Sequence, residues 1–305
     1  MSAVEALLAG LVDYAGLFPP ASQDMRSSLE SYASYLNSAD RPAIARFIVP
    51  LSRLSELEET GNDLLPRGTG SEPWKLSVLV SGEPRLAGAQ ILEFNEHHDA
   101  GSDGHALIDV VELKATSARE IEEHRSLLPR FVTPYFEIST SHDVAPLTRA
   151  IAAVGARAKI RTGGVTADAF PAASEILDFM TAARRDSVAF KATAGLHHPV
   201  RGSYPLTYAT DSPRGTMYGF LNLFLAATIL YCRSDANVAL SVLEESDTSA
   251  FTFREDGISW RDTTMDGSQI RAARSQFAIS FGSCSFREPV DELRELAGNP
   301  ILKTT

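Results

Sequence analysis

Short apolar, β-rich runs recur along the chain, and each breaks into glycine, proline or polar residues before a longer stretch of helical spacing. The runs are GLVDYAG (10–16), ARFIVPLS (45–52), KLSVLVSG (75–82), ALIDVVELKA (106–115), RFVTPYFEIS (130–139), ARAKIRTGG (156–164), VAFKATAG (188–195) and FAISFGSCS (277–285). Strand-like runs alternating with helical stretches predict a parallel α/β sheet, and eight such units predict a closed (β/α)8 TIM barrel. Between the last two runs, FTFREDGISWRD (251–262) carries alternating residues on both sides of Asp256-Gly257, a strong turn pair. It reads as a β-hairpin excursion outside the barrel. The longest apolar run, FLNLFLAATIL (220–230), is too short to span a bilayer and contains Asn222, so it predicts a buried helix. The segments 38–43, 64–74 and 97–104 read as polar surface loops, the last of which makes His97 and His98 solvated residues. No linker divides the chain, so residues 1–305 are expected to form one domain.

In a barrel, outward side chains pack on helices, whereas inward ones near the C-terminal strand ends are free to be polar. Period two then sorts the side chains. Val188, Phe190 and Ala192 take the outer face of the seventh run, which leaves Lys191 and Thr193 inside. Ala158 and Ile160 leave Lys159 and Arg161 inside, and Ile108 and Val110 leave Asp109. Val132, Phe136 and Ile138 leave Thr133, Tyr135 and Glu137. Leu76 and Val78 leave Ser77, and Phe277, Ile279 and Phe281 leave Ser280 and Gly282. Polar groups from several strands thus converge on one lumen.

Two lysines at neighbouring strand ends suggest Schiff-base chemistry. An amine attacks a carbonyl only when unprotonated, and an ordinary lysine is about 0.1% free base at pH 7; a downward shift of about three units frees about half. Lys159, Arg161 and Lys191 would supply that shift by mutual repulsion, and Asp109, with Glu137 nearby, is the candidate acid/base. Either lysine can be the nucleophile. An anionic substrate group would meet the turns at Gly163-Gly164 and Gly282-Ser283, the latter opening a helix through SFRE (285–288), a capping-box pattern. His197, His198 and Arg201 follow the Lys191 strand in the loop where a barrel keeps its substrate. They are candidate substrate contacts: no third His, Cys or Asp stands at a zinc-like spacing, and neither metal nor cofactor is expected. Cys284 reads as a buried small residue.

The formal net charge of −11 argues against nucleic acid or an anionic membrane as partner. Two cysteines make no disulfide framework, and the N-terminal segment lacks a basic region and a cleavage site, which points to a cytoplasmic protein. The expected partner is a small carbonyl compound, anionic by the turns described above. Such barrels are often dimers, so a homodimer is one assembly the fold allows.

The chain also resembles the deoxyribose-phosphate aldolase family, class I aldolases built as (β/α)8 barrels. The likeness is remote and runs in order through most of the chain. VDYAGLFPPASQD is similar to that family's first-strand D-H-T-x-L segment, with Tyr14 and Ala15 in place of the histidine and threonine. LIDVV (107–111) resembles the strand of the catalytic aspartate, which implies that role for Asp109, and PYFEIS (134–139) puts Glu137 in place of a strand-end glutamate. FKATAG (190–195) is similar to F-K-P-A-G-G, whose lysine corresponds to Lys191, and FGSCS (281–285) resembles the phosphate-binding F-G-A-S-S turn. The family's Schiff-base lysine lies in I-K-T-S-T-G; against AKIRTGG, aligned glycines put Ile160 opposite it, and a one-residue slip brings Lys159 there. The resemblance implies a lyase of carbohydrate metabolism. Two other readings of the residues stand beside it: metal- or proton-transfer chemistry using His197 and His198, and a non-catalytic barrel that binds an anionic metabolite.

Overall fold

A computed structural model of the chain describes residues 1–82, 84–99 and 104–298. After α1 (Ala3–Leu8), six strand–helix units and a seventh strand follow: β1 (Val12–Tyr14) and α2 (Met25–Leu36), β2 (Ile44–Pro50) and α3 (Leu54–Gly61), β3 (Trp74–Leu79) and α4 (Pro84–Asp99), β4 (Ala106–Lys114) and α5 (Ala118–Leu127), β5 (Thr133–Glu137) and α6 (Ala145–Ala153), β6 (Arg157–Arg161) and α7 (Ala173–Arg185), and β7 (Phe190–Thr193). A long excursion then carries β8 (Gly202–Pro205), β9 (Arg214–Met217), α8 (Phe220–Arg233), α9 (Ala236–Glu244), β10 (Phe251–Phe253), β11 (Gly257–Trp260), β12 (Thr263–Asp266) and α10 (Gly267–Gln276). The chain returns through β13 (Ala278–Ser283) to α11 (Arg287–Leu296). The parallel strands close in the order β1-β13-β7-β6-β5-β4-β3-β2, a (β/α)8 barrel.

The outer strand faces supply the core against the helices, as the alternation predicts: Phe47, Leu76, Val78, Phe136, Ala158, Ile160, Phe190, Ala192 and Phe281 all belong to it. The excursion explains why β7 and β13 are neighbours across more than eighty intervening residues. Its hairpin pairs Phe251 with Trp260 and Phe253 with Ile258, and adds a third strand, β12, that the sequence does not announce because only Met265 of its residues is buried. This sheet sits where β1 and β13 begin: Glu255 accepts from Ala3 N, and Arg274 of α10 donates to the carbonyls of Leu7, Ala9 and Ala278. It is therefore at the end of the barrel opposite the strand termini that carry the site. The apolar run at 220–230 is the buried helix α8, whose Asn222 is satisfied by donating to Val242 and Glu245 carbonyls and accepting from Arg201 N.

One irregularity changes the lumen. Leu76 pairs with Ile108 but Ser77 pairs with Val110, so β4 carries one extra residue at Asp109. A bulge of this kind reverses the side-chain phase beyond it. Val111 and Leu113 take the outer core, and Glu112 turns inward.

Candidate active site

The register of β6 and β7 sets Lys159 beside Lys191, and that of β5 and β6 sets Glu137 beside Lys159. Lys191 Nζ lies 2.6 Å from Asp13 Oδ2 and 2.6 Å from Glu112 Oε1. Lys159 Nζ lies 2.8 Å from Glu112 Oε2 and 2.8 Å from Glu137 Oε2. Glu112 is thus shared by both ammoniums. Ser280 Oγ donates to Asp13 Oδ2 at 2.7 Å, and Ser77 Oγ donates to Glu112 Oε1 at 2.7 Å. Arg161 stands 3.6 Å from the second oxygen of Glu137.

These contacts overturn the mutual repulsion expected of the lysines. Burial works to lower the pKa of Lys191, yet Asp13 and Glu112 raise it above the ordinary lysine value. Burial would likewise raise Glu112, but Lys159 and Lys191 hold its carboxyl well below the usual range. Glu137 is lowered against burial by Lys159 and Arg161. The cause is general: two ammoniums can be buried side by side only when counter-charges stand between them. Lys191 is 1% exposed and closed in, whereas Lys159, 4% exposed, lines a cavity of about 250 Å³ at the C-terminal strand ends.

Of the other residues singled out in the sequence, Arg161, Gly164, Thr193, His197 and Gly282 line this cavity. Asp109 is corrected: it forms a two-pronged pair with Arg46, both contacts at 2.6 Å, and Glu112 stands between the lysines instead. Gly163 lies behind the wall, where a Cβ would meet the Phe170 ring at 2.4 Å and Gly195 Cα at 3.0 Å. His198 stacks on Tyr204 with centroids 3.6 Å apart and places Nδ1 2.9 Å from both Glu292 oxygens. Arg201 reaches the Glu244 carbonyl on the excursion. Ser283 is buried and accepts from Ser285 N. The capping box at 285–288 is half formed, because Ser285 Oγ accepts from Glu288 N while the Glu288 carboxylate is occupied by His197, 3.2 Å away, and by the Tyr208 hydroxyl at 3.0 Å. Burial pushes up the Cys284 thiol, which keeps it protonated.

Two lumen residues were missed. Asp13 stands between apolar Val12 and Tyr14, the same period-two signal that identified the lysines. Glu112 is hidden by the bulge. The β8–β9 hairpin was missed as well: Leu206, at its tip, completes the cavity wall with Phe18, Pro19 and Pro20 from the β1 loop. For a cation at the mouth, His198, Glu288 and Glu292 offer ligand atoms within 4.8 Å of one another. No helix among the described residues is long and apolar enough to cross a membrane. Compared with known proteins, the chain matches no family model and no curated sequence.

Proposed function

We propose that the protein is a lyase of the class I aldolase type, in which Lys159 forms an imine with a small aldehyde or ketone. The observation that carries this reading is the asymmetry of the lumen lysines: Lys159 opens on the cavity between two carboxylates, while Lys191 is closed behind Glu112. The Lys159 ammonium passes a proton to Glu137, and the free amine attacks the carbonyl carbon. The resulting alkoxide takes that proton back to give a carbinolamine. The carbinolamine nitrogen gives its second proton to Glu137, which passes it to the hydroxyl; water leaves and the iminium remains. Glu137, again a carboxylate, takes the proton of the substrate's β-hydroxyl; the bond between the α and β carbons breaks, the β fragment leaves as an aldehyde, and the electron pair enters the iminium to give an enamine. Lys191 keeps Glu112 ionised throughout. Arg161 and His197 at the rim favour an anionic group on the substrate, and the cavity volume suits a small metabolite.

Borohydride reduction in the presence of small aldehydes, ketones and 2-oxoacids, followed by peptide mass mapping, should place the adduct on Lys159 and lose it in Lys159→Met. A folded protein that forms no adduct across the panel, or forms it on Lys191, refutes the assignment. A second reading, metal-assisted proton transfer, is favoured by the His198, Glu288 and Glu292 cluster at the mouth; turnover dependent on a divalent cation and abolished by His198→Gln would replace the first.

A further inference from the structure

Outside the lumen, a groove of about 620 Å³ between α3 and α4 is lined by Glu58, Asn62, Gln90, Glu93, His97 and His98. The two histidines end α4 and do not lie in a solvated loop, and residues 100–103 of the expected loop are outside the described residues. His98 is 2% exposed, with its ring packed on Phe94 at a centroid distance of 4.3 Å. Its Nδ1 lies 2.9 Å from the Gly104 carbonyl oxygen. A carbonyl only accepts, so Nδ1 carries the proton there, and in the neutral ring Nε2 presents a lone pair. That Nε2 is buried without a hydrogen-bond partner, although Glu58 Oε1 stands 3.4 Å away. In the neutral tautomer two electron-rich atoms face one another. Full protonation of the ring would supply attraction but leave the new N–H misaligned. A cation between them satisfies both. The pattern of Nδ1–H on a backbone carbonyl with Nε2 aimed into a cavity is the orientation that metal-ligating histidines adopt.

The His97 ring stands edge-on to His98 with centroids 5.0 Å apart, and one ligand atom from each of Glu58, His97 and His98 falls within 4.8 Å of the others. Tetrahedral zinc with bonds of about 2.0–2.2 Å needs ligand separations near ~3.4 Å. His98 Nε2 and Glu58 Oε1, 3.4 Å apart, already stand at that separation. Two imidazoles and one carboxylate suit Zn2+ better than the all-oxygen shells of Ca2+ or Mg2+. We propose that Glu58, His97 and His98 form a zinc-type site that ties the C-terminal end of α4 to α3, with the remaining coordination position left to water. It shares no residue with the lumen and stands independently of the proposed lyase activity.

The test is calorimetric titration of the chelator-treated full chain with ZnCl2, with thermal unfolding read in parallel. The parent should bind zinc at micromolar concentration or tighter with a rise in Tm. Glu58→Gln/His97→Gln, which alters only side chains at the groove surface and should fold, should bind one zinc fewer and lose that rise. His198→Gln, which removes the histidine of the other cluster, should leave this binding unchanged. Equal stoichiometry in the parent and the double variant overturns the proposal. So does a parent that binds no zinc and shows a doubly protonated His98 by NMR at neutral pH, since an ion pair with Glu58 then accounts for the contact.

Discussion

Lys191→Met removes one ammonium and keeps most of the stem, so its cost is set by the charges left behind. Glu112 retains Lys159 at 2.8 Å and the Ser77 hydroxyl at 2.7 Å. Among the described residues Asp13 retains one hydrogen bond, from the Ser280 hydroxyl at 2.7 Å, with Arg46 and Arg274 acting on it from beyond salt-bridge distance, and its Oδ1 is already buried without a partner. The loss therefore concentrates on Asp13. Removing one member of a buried pair costs about 3–5 kcal/mol, whereas the near-isosteric change in packing should add less than about 1.5 kcal/mol. Urea unfolding at pH 7 should show a midpoint lowered by that amount at an unchanged slope. Asp13→Asn/Lys191→Met should recover most of the loss at pH 7, because neither charge is then present. A single variant within about 1 kcal/mol of the parent, or a double variant no better than the single, refutes the pairing.

Glu112 supplies a pH test whose sign follows from its lowered pKa: its stabilising contribution is present above the ordinary value of 4.5 and is lost as pH falls through the lower folded value. The parent should lose stability steeply below about pH 4.5, and Glu112→Gln, though less stable at pH 7, should lose less over the same window; parallel slopes would remove Glu112 from the network. Gly195 follows the Lys191 strand at φ +71°, with Phe170 Cε1 2.7 Å and Gly163 Cα 3.0 Å from where a Cβ would sit. Gly195→Ala should therefore cost roughly 2–4 kcal/mol from backbone strain and overpacking together, and a parent-like melting curve would show slack in that turn.

The barrel was legible because its strands are buried on both faces, so a run such as VAFKATAG cannot place Lys191 outward among the helices without burying an unpaired charge. Lys159, Glu137 and Ser280 follow by the same logic. Asp109 misled because alternation was carried forward from Ile108 across a bulge. The doubled valine at 110–111 marks the slip: counting back from Leu113 and Val111 as outer residues puts Glu112 inside. What could not be read was long-range pairing. His197 meets Glu288 and His198 meets Glu292 across more than ninety residues, and Arg46 meets Asp109 across two helices. No local pattern encodes such contacts, since they arise from barrel closure. The ends of α4 failed for a related reason, because histidines beside a glycine-rich stretch look solvated until Phe94 and Gly104 enclose one of them.

The arrangement of charge bears on whether the lumen is built for stability or for chemistry. A barrel interior is ordinarily filled by branched apolar side chains, and a buried ionic set is often no more stable than such a filling. Here Ile48 and Leu79 still line the cavity, yet the centre is given to two lysines and three carboxylates. Their connectivity is what a lysine nucleophile requires. When Lys159 surrenders its charge to become an amine, Glu112 keeps Lys191 at 2.6 Å and Glu137 keeps Arg161 at 3.6 Å, so neither carboxylate is stranded. Lys191 has no such freedom, because among the described residues no other cation comes within salt-bridge distance of Asp13, and Lys191 itself does not reach the cavity. One lysine can therefore lose its proton at modest electrostatic cost and the other cannot. The one that can is the one that opens on the cavity.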